Sequence, residues 1–209
     1  MRTSFALAML GTMMLAGGCG DDTTTGGGSD MSMPRDLATT GGGPTCTDYC
    51  AKIAMNCTSG DGGGGNVQYT STAACNTYCT ASAGWTAGTT GATSGNTIAC
   101  RTYHAGAAAA DPVLHCPHAG PTGGNVCGTY CENYCQLMAK NCTGANAVYD
   151  AAMCMTKCTG IPTGGKAGDT SGNTVQCRIY HLSAAAADPS THCVHSKIAA
   201  DVTTPGPCS

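Results

Sequence analysis

Three hydropathy patterns follow one another along the chain. The opening MRTSFALAMLGTMMLAGGC has a positive residue, Arg2, then the apolar stretch Phe5 to Leu15, then Ala16-Gly17-Gly18 before Cys19. These are the charged, apolar and small-residue parts of an export signal, and the apolar run is too short for a permanent membrane span. Residues 1–18 are therefore expected to be a leader. From Gly20 to Thr45 no apolar period survives, and Gly, Thr, Ser and Asp dominate, so residues 19–45 are expected to form a flexible tether.

Beyond the tether, apolar and cysteine positions recur at helical spacing. CTDYCAKIAMNC places Cys46, Cys50 and Cys57 at i, i+4 and i+11, which on a helix fall within about 40° of one another. CENYCQLMAKNC does the same with Cys131, Cys135 and Cys142. The second C-x3-C pairs, Cys75 with Cys79 and Cys154 with Cys158, mark one face of a second helix. An antiparallel hairpin would join the stripes as Cys46 with Cys79 and Cys50 with Cys75, then Cys131 with Cys158 and Cys135 with Cys154.

A third helix is expected to begin after Asn96 and again after Asn173, each a good N-cap preceded by Ser-Gly. It should end at Ala110-Asp111-Pro112 and Ala187-Asp188-Pro189, because a residue before proline is pushed out of the α region. The spacing leaves Cys100 for Cys57 and Cys116 for Cys127, with Cys142 and Cys177, then Cys193 and Cys208, as the repeat. Eight cysteines allow 105 pairings, so the connectivity stays open at this stage.

The pattern is duplicated. TSGNTIACRTYHAGAAAADPVLHCPH (Thr93 to His118) and TSGNTVQCRIYHLSAAAADPSTHCVH (Thr170 to His195) agree at 18 of 26 positions. Self-similarity at this period divides the folded part into modules 46–128 and 129–209. Both carry eight cysteines in the same order, and length changes fall in Gly-rich segments, chiefly SGDGGGG at 59–65, as loops behave between fixed elements.

Composition explains why cysteine has this role. The sole Phe is Phe5, the only Trp is Trp85, and eight Tyr complete the aromatic set, so each small module is short of apolar bulk and needs staples. With Cys19 set aside, sixteen cysteines remain, an even count that reads as a disulfide framework in an exported chain. A formal net charge of -3 with scattered Lys and Arg gives no basic patch, and nucleic acid is not an expected partner.

All six histidines lie in the duplicated stretch, as His104, His115, His118 and His181, His192, His195, each set spaced H-x10-H-x2-H. If the segment after the third helix folds back, three imidazoles converge, a donor set suited to Cu or Zn with one position open. The alternative is that they bond carbonyls and cap helices. Arg101 and Arg178 start the third helix and Asp111 and Asp188 end it, so an ion pair or carbonyl bonds would tie it to the following turn. The chain has no C-x-x-C, H-E-x-x-H, G-x-S-x-G or phosphate loop, and Glu132 is its one glutamate. The sequence leans away from an enzyme.

Three resemblances sharpen these expectations. LAGGC resembles the bacterial lipobox, with Leu15 four residues before Cys19 rather than three, which implies lipidation of Cys19. The twin C-x3-C hairpin resembles the small Tim chaperones in architecture. CRxYH followed by DPxxHCxH makes the chain similar to uncharacterised cysteine-rich lipoproteins of Gram-negative bacteria, a resemblance that implies no activity. The expectation is a mainly α protein of two disulfide-rich helical modules. It would be anchored by lipid to the cell envelope, the outer membrane favoured, facing periplasm or exterior. It would bind an unknown protein or small ligand, or hold metal through the histidines.

Overall fold

The computed structural model describes residues 42–58 and 66–209; residues 1–18, Cys19, most of the tether and the Gly-rich 59–65 lie outside them. The described chain is helical. The first module carries α1 (Cys46–Asn56), α2 (Thr72–Thr77), a π-helical segment (Tyr78–Ala83), α3 (Ile98–Ala107) and α4 (Pro112–Ala119). The second repeats it as α5 (Tyr130–Asn141), α6 (Ala151–Cys158), α7 (Val175–Ala184) and α8 (Pro189–His195). Among the described residues the only extended pairing is an isolated bridge between Thr86 and Thr97.

Local chemistry sets the helix starts. Thr45 with Asp48 and Thr129 with Glu132 form reciprocal capping boxes on α1 and α5, each satisfying two orphan donors. The third helices are capped one residue later than the sequence suggests. Thr97 and Thr174 accept from Cys100 N and Cys177 N at 3.1 and 3.2 Å. Asn96 instead donates to Gln136 at 2.5 Å, and Asn173 accepts from Arg178 at 2.9 Å. Asp111 and Asp188 leave the α region as expected before proline, and the third helices end ahead of them at Ala107 and Ala184. Each aspartate also caps the next helix, with proline at the first helical position where no N–H is needed. The segment expected as a turn is therefore a helix, and it turns the histidines back onto α3 and α7.

Eight disulfides staple the two modules. Cys46–Cys79, Cys50–Cys75, Cys131–Cys158 and Cys135–Cys154 join the paired stripes as the hairpin geometry requires. The other four differ from the expected pairing: Cys57 bonds Cys116, Cys100 bonds Cys127, Cys142 bonds Cys193 and Cys177 bonds Cys208. The cause is the placement of the third helix. Asn56, at the end of α1, donates to Ala105 O near the end of α3 at 2.8 Å, and Asn141 does the same to Leu182 O at 2.9 Å. Cys100 sits five residues earlier, ~7 Å back along the axis at 1.5 Å per residue. The cysteine ending α1 therefore meets α4, which has folded back to its level.

The described residues of both modules fall within one compact unit. Gln136 donates to Gly84 O at 2.6 Å, and Asn141 also reaches Ser82 O at 3.2 Å. Arg101 is fully buried, with no carboxylate paired to it among the described residues. Its guanidinium lies 3.7 Å over the Trp85 ring and donates to Asn133 Oδ1 of the second module at 2.6 Å and to Thr97 O at 3.2 Å. Burial pulls its pKa down to about 10, so it stays charged at neutral pH. Of the two ties expected for Arg101, the carbonyl bond is the one formed, with Nε donating to Gly120 O just beyond α4 at 3.4 Å. No ion pair with Asp111 is found among the described residues, and the indole face adds to the carbonyls. Arg178 repeats the carbonyl pattern with Lys197 O at 3.1 Å and Thr174 O at 3.0 Å.

Candidate metal centre

Each histidine triad is built by two helices and one loop. His104 stands on α3 and His181 on α7, both buried; His115 with His118 and His192 with His195 stand three residues apart on α4 and α8. His104 Nδ1 and His115 Nδ1 are 3.0 Å apart, and so are those of His181 and His192. Ring centroids complete each triangle at 5.2, 5.0 and 6.0 Å in the first module and 5.3, 4.9 and 5.8 Å in the second. One ring nitrogen from each member lies within 4.8 Å of the others.

The tautomer follows from the loop. His104 Nε2 is 3.0 Å from Thr93 O and His181 Nε2 is 3.1 Å from Thr170 O. A carbonyl only accepts, so Nε2 carries the proton and Nδ1 keeps its lone pair for the triad. A ligating imidazole whose other nitrogen is held by a carbonyl is the usual arrangement of metal sites. The two threonines open the duplicated stretch, and their role was not read from the sequence; the signal was TSGNT itself. Gly95 and Gly172 in that motif take φ of 91° and 93°, a turn a side chain would strain.

The charge state suits ligation. Burial lowers the pKa of His104, His118 and His181, which keeps them neutral as metal binding requires. The Nδ1 atoms of His118 and His195 are buried and find no hydrogen-bond partner among the described residues. Two nitrogens on one zinc at ~2.0–2.1 Å stand ~3.4 Å apart in a tetrahedron, so the Nδ1 pairs need to open by only a few tenths of an ångström. Cys100 and Cys127, like Cys177 and Cys208, also lie beside the triads, but their sulfurs are bonded to each other and offer no thiolate. The residues present thus fit a three-imidazole site for copper or zinc.

The fold and these sites define a class: tandem, disulfide-stapled helical modules, each presenting a convergent histidine triad. Residues 40–132 and 128–199 each match the model of the BfoA family C-terminal domain, and the chain belongs to that family. It is 38% identical over 81 residues to the Bifonsecin B biosynthesis cluster protein A of Aspergillus brasiliensis, across 39% of this chain and 25% of that protein. The Aurasperone B biosynthesis cluster protein A of Aspergillus niger matches to the same extent, across 24% of its length. The chain thus spans about a quarter of the curated relatives it matches. No solved structure matches it. These findings correct the resemblance to bacterial lipoproteins: the family is represented by fungal biosynthesis cluster proteins. The CRxYH and DPxxHCxH segments that suggested bacteria form the scaffold of the triads, so they report a fold rather than a source.

Proposed function

We propose that the protein is an exported binding protein that holds one copper or zinc ion in each module, through His104, His115 and His118 and through His181, His192 and His195. The observation that carries this reading is the duplicated unpartnered nitrogen, His118 Nδ1 and His195 Nδ1, in a triad whose first member is already fixed in the ligating tautomer. A buried imidazole nitrogen without a partner is costly, on the order of 1–3 kcal/mol, and a metal ion removes that cost in both modules at once. Three imidazoles leave a fourth position for water or a small ligand. The eight disulfides support an oxidising compartment. The leader supports export, and acylation of Cys19 would give attachment to a membrane of the cell envelope; the intact mass of the mature chain tests that part separately.

Metal analysis of the full chain, after equilibration with copper or zinc and gel filtration, should return two ions per chain. His118→Ala, at a half-buried position, should lower this to one with the helical circular dichroism unchanged. The same substitution at His195 should act alike, and the double variant should bind none. Two ions retained by the double variant would clear the triads as ligands.

A further inference from the structure

A cleft of about 320 Å³ opens where the π-helical segment of the first module meets α7 of the second. Its described walls include Tyr69, Tyr78 and Tyr180 with Ser82 and Ser183, and no charged residue is among the described lining residues. A smaller recess of about 60 Å³ continues between the same three tyrosines. Tyr69 and Tyr78 stand 5.5 Å apart at 58°, an open angle between two aromatic faces. The Tyr78 side chain is 8% exposed, and its hydroxyl is buried with no hydrogen-bond partner among the described residues. The Tyr69 hydroxyl is already engaged with that of Tyr49 at 3.0 Å. π-Helical turns cost backbone regularity and are frequent where a helix serves a site.

We propose that this cleft binds a neutral, flat aromatic small molecule. Its ring lies among the three tyrosines. The volume stands at the lower end of the ~300–1,000 Å³ of ligand clefts, which suits a molecule of two or three rings. Tyrosine faces favour an aromatic partner over an aliphatic one of equal area through offset and edge-on ring contacts. A charged ligand would leave water for a lining whose described residues offer no counter-ion, which selects against it.

The cleft belongs to one module's triad and not the other's. Tyr180 lines it on one side and on the other meets His181 edge-on at 5.2 Å, so a bound molecule lies one side chain away from the second triad. Tyr103, the counterpart beside His104, is not part of this lining. Binding in the cleft does not require metal in the triads.

Calorimetric titration of the full chain with 2-naphthol tests the proposal, beside its saturated analogue decahydro-2-naphthol and anionic 2-naphthalenesulfonate. One 2-naphthol should bind per chain, and both comparison compounds should bind at least ~10-fold more weakly. Tyr180→Ala removes one aromatic wall of the cleft, so affinity should fall ~2–10-fold. Thr77→Trp, at an exposed lining position, should fill the cleft and abolish binding, with thermal unfolding as the check on folding. His118→Ala/His195→Ala should leave 2-naphthol binding unchanged, which separates this site from the triads. Equal binding of the saturated analogue, no binding of 2-naphthol, or binding that survives Thr77→Trp would each overturn the proposal.

Discussion

The two modules reach the same triad from different interiors. The first surrounds buried Arg101 with Tyr49, Tyr69, Tyr78 and Trp85. The second places Ile179 and Leu182 on α7 where α3 has Thr102 and Ala105. Yet corresponding ring separations in the two triads differ by no more than 0.2 Å. What both share is the frame: the Cys57–Cys116 and Cys142–Cys193 bonds, the aspartate-capped α4 and α8, and the Thr93 and Thr170 carbonyls. Cross-links and caps set the imidazole geometry, while the packing beneath is interchangeable.

The strongest test of that equivalence removes the staple that ties α4 to the end of α1 and α8 to the end of α5. Cys57→Ala/Cys116→Ala and Cys142→Ala/Cys193→Ala open loops of 59 and 51 residues. Chain entropy assigns each about 4 kcal/mol with almost no difference between them, measurable by urea unfolding. A clear inequality would show that one interior compensates better and would break the comparison. Next in size, Arg101→Ala leaves carbonyl acceptors and an indole face without their partner, at a cost of about 3 kcal/mol. Arg178→Ala should cost about 1 kcal/mol less because no indole stacks on it. Equal losses would remove Trp85 from the account.

Smaller effects sharpen the comparison. Thr97→Ala and Thr174→Ala each remove a helix cap and should cost about 1 kcal/mol, the same in both modules by thermal unfolding. The pH dependence of the metal-free chain is the weakest signal. Burial lowers the folded-state pKa of His104 and His118 in the first module and of His181 in the second. Below the ordinary imidazole value of about 6.5 the unfolded chain then binds more protons than the folded one, so stability falls as pH drops through that value. Unfolding measured between about pH 7.5 and 5 should show a shallower fall in His104→Gln/His118→Gln than in His181→Gln. The opposite order would assign the titration to the second module.

Much of the frame was legible because cysteine spacing reports helix faces. The stripes at Cys46, Cys50, Cys75 and Cys79 and their repeats give the hairpin bonds directly. Periodicity does not report which way a third helix runs, and that direction decides whether Cys57 meets Cys100 or Cys116. The cap assignment slipped by one residue because Asn and Thr adjoin at 96–97 and 173–174, and both accept well. The histidine spacing pointed to a convergence once the following segment folded back, and the Asp-Pro pairs that cap α4 and α8 supply that fold-back. The carbonyls of Thr93 and Thr170 left no trace in side-chain chemistry. The tyrosine cleft was invisible in the sequence because its walls come from Tyr69, Tyr78 and Tyr180, which only the docking of the modules brings together.

The side chain of Asn133 completes the hydrogen bonding of an arginine that belongs to the other half, while three residues, Gly128, Thr129 and Tyr130, separate Cys127 from Cys131. The two halves are coupled at that bond: the first half expressed alone would leave the Arg101 guanidinium without its Asn133 acceptor, and exchanging halves would need a matched asparagine and arginine.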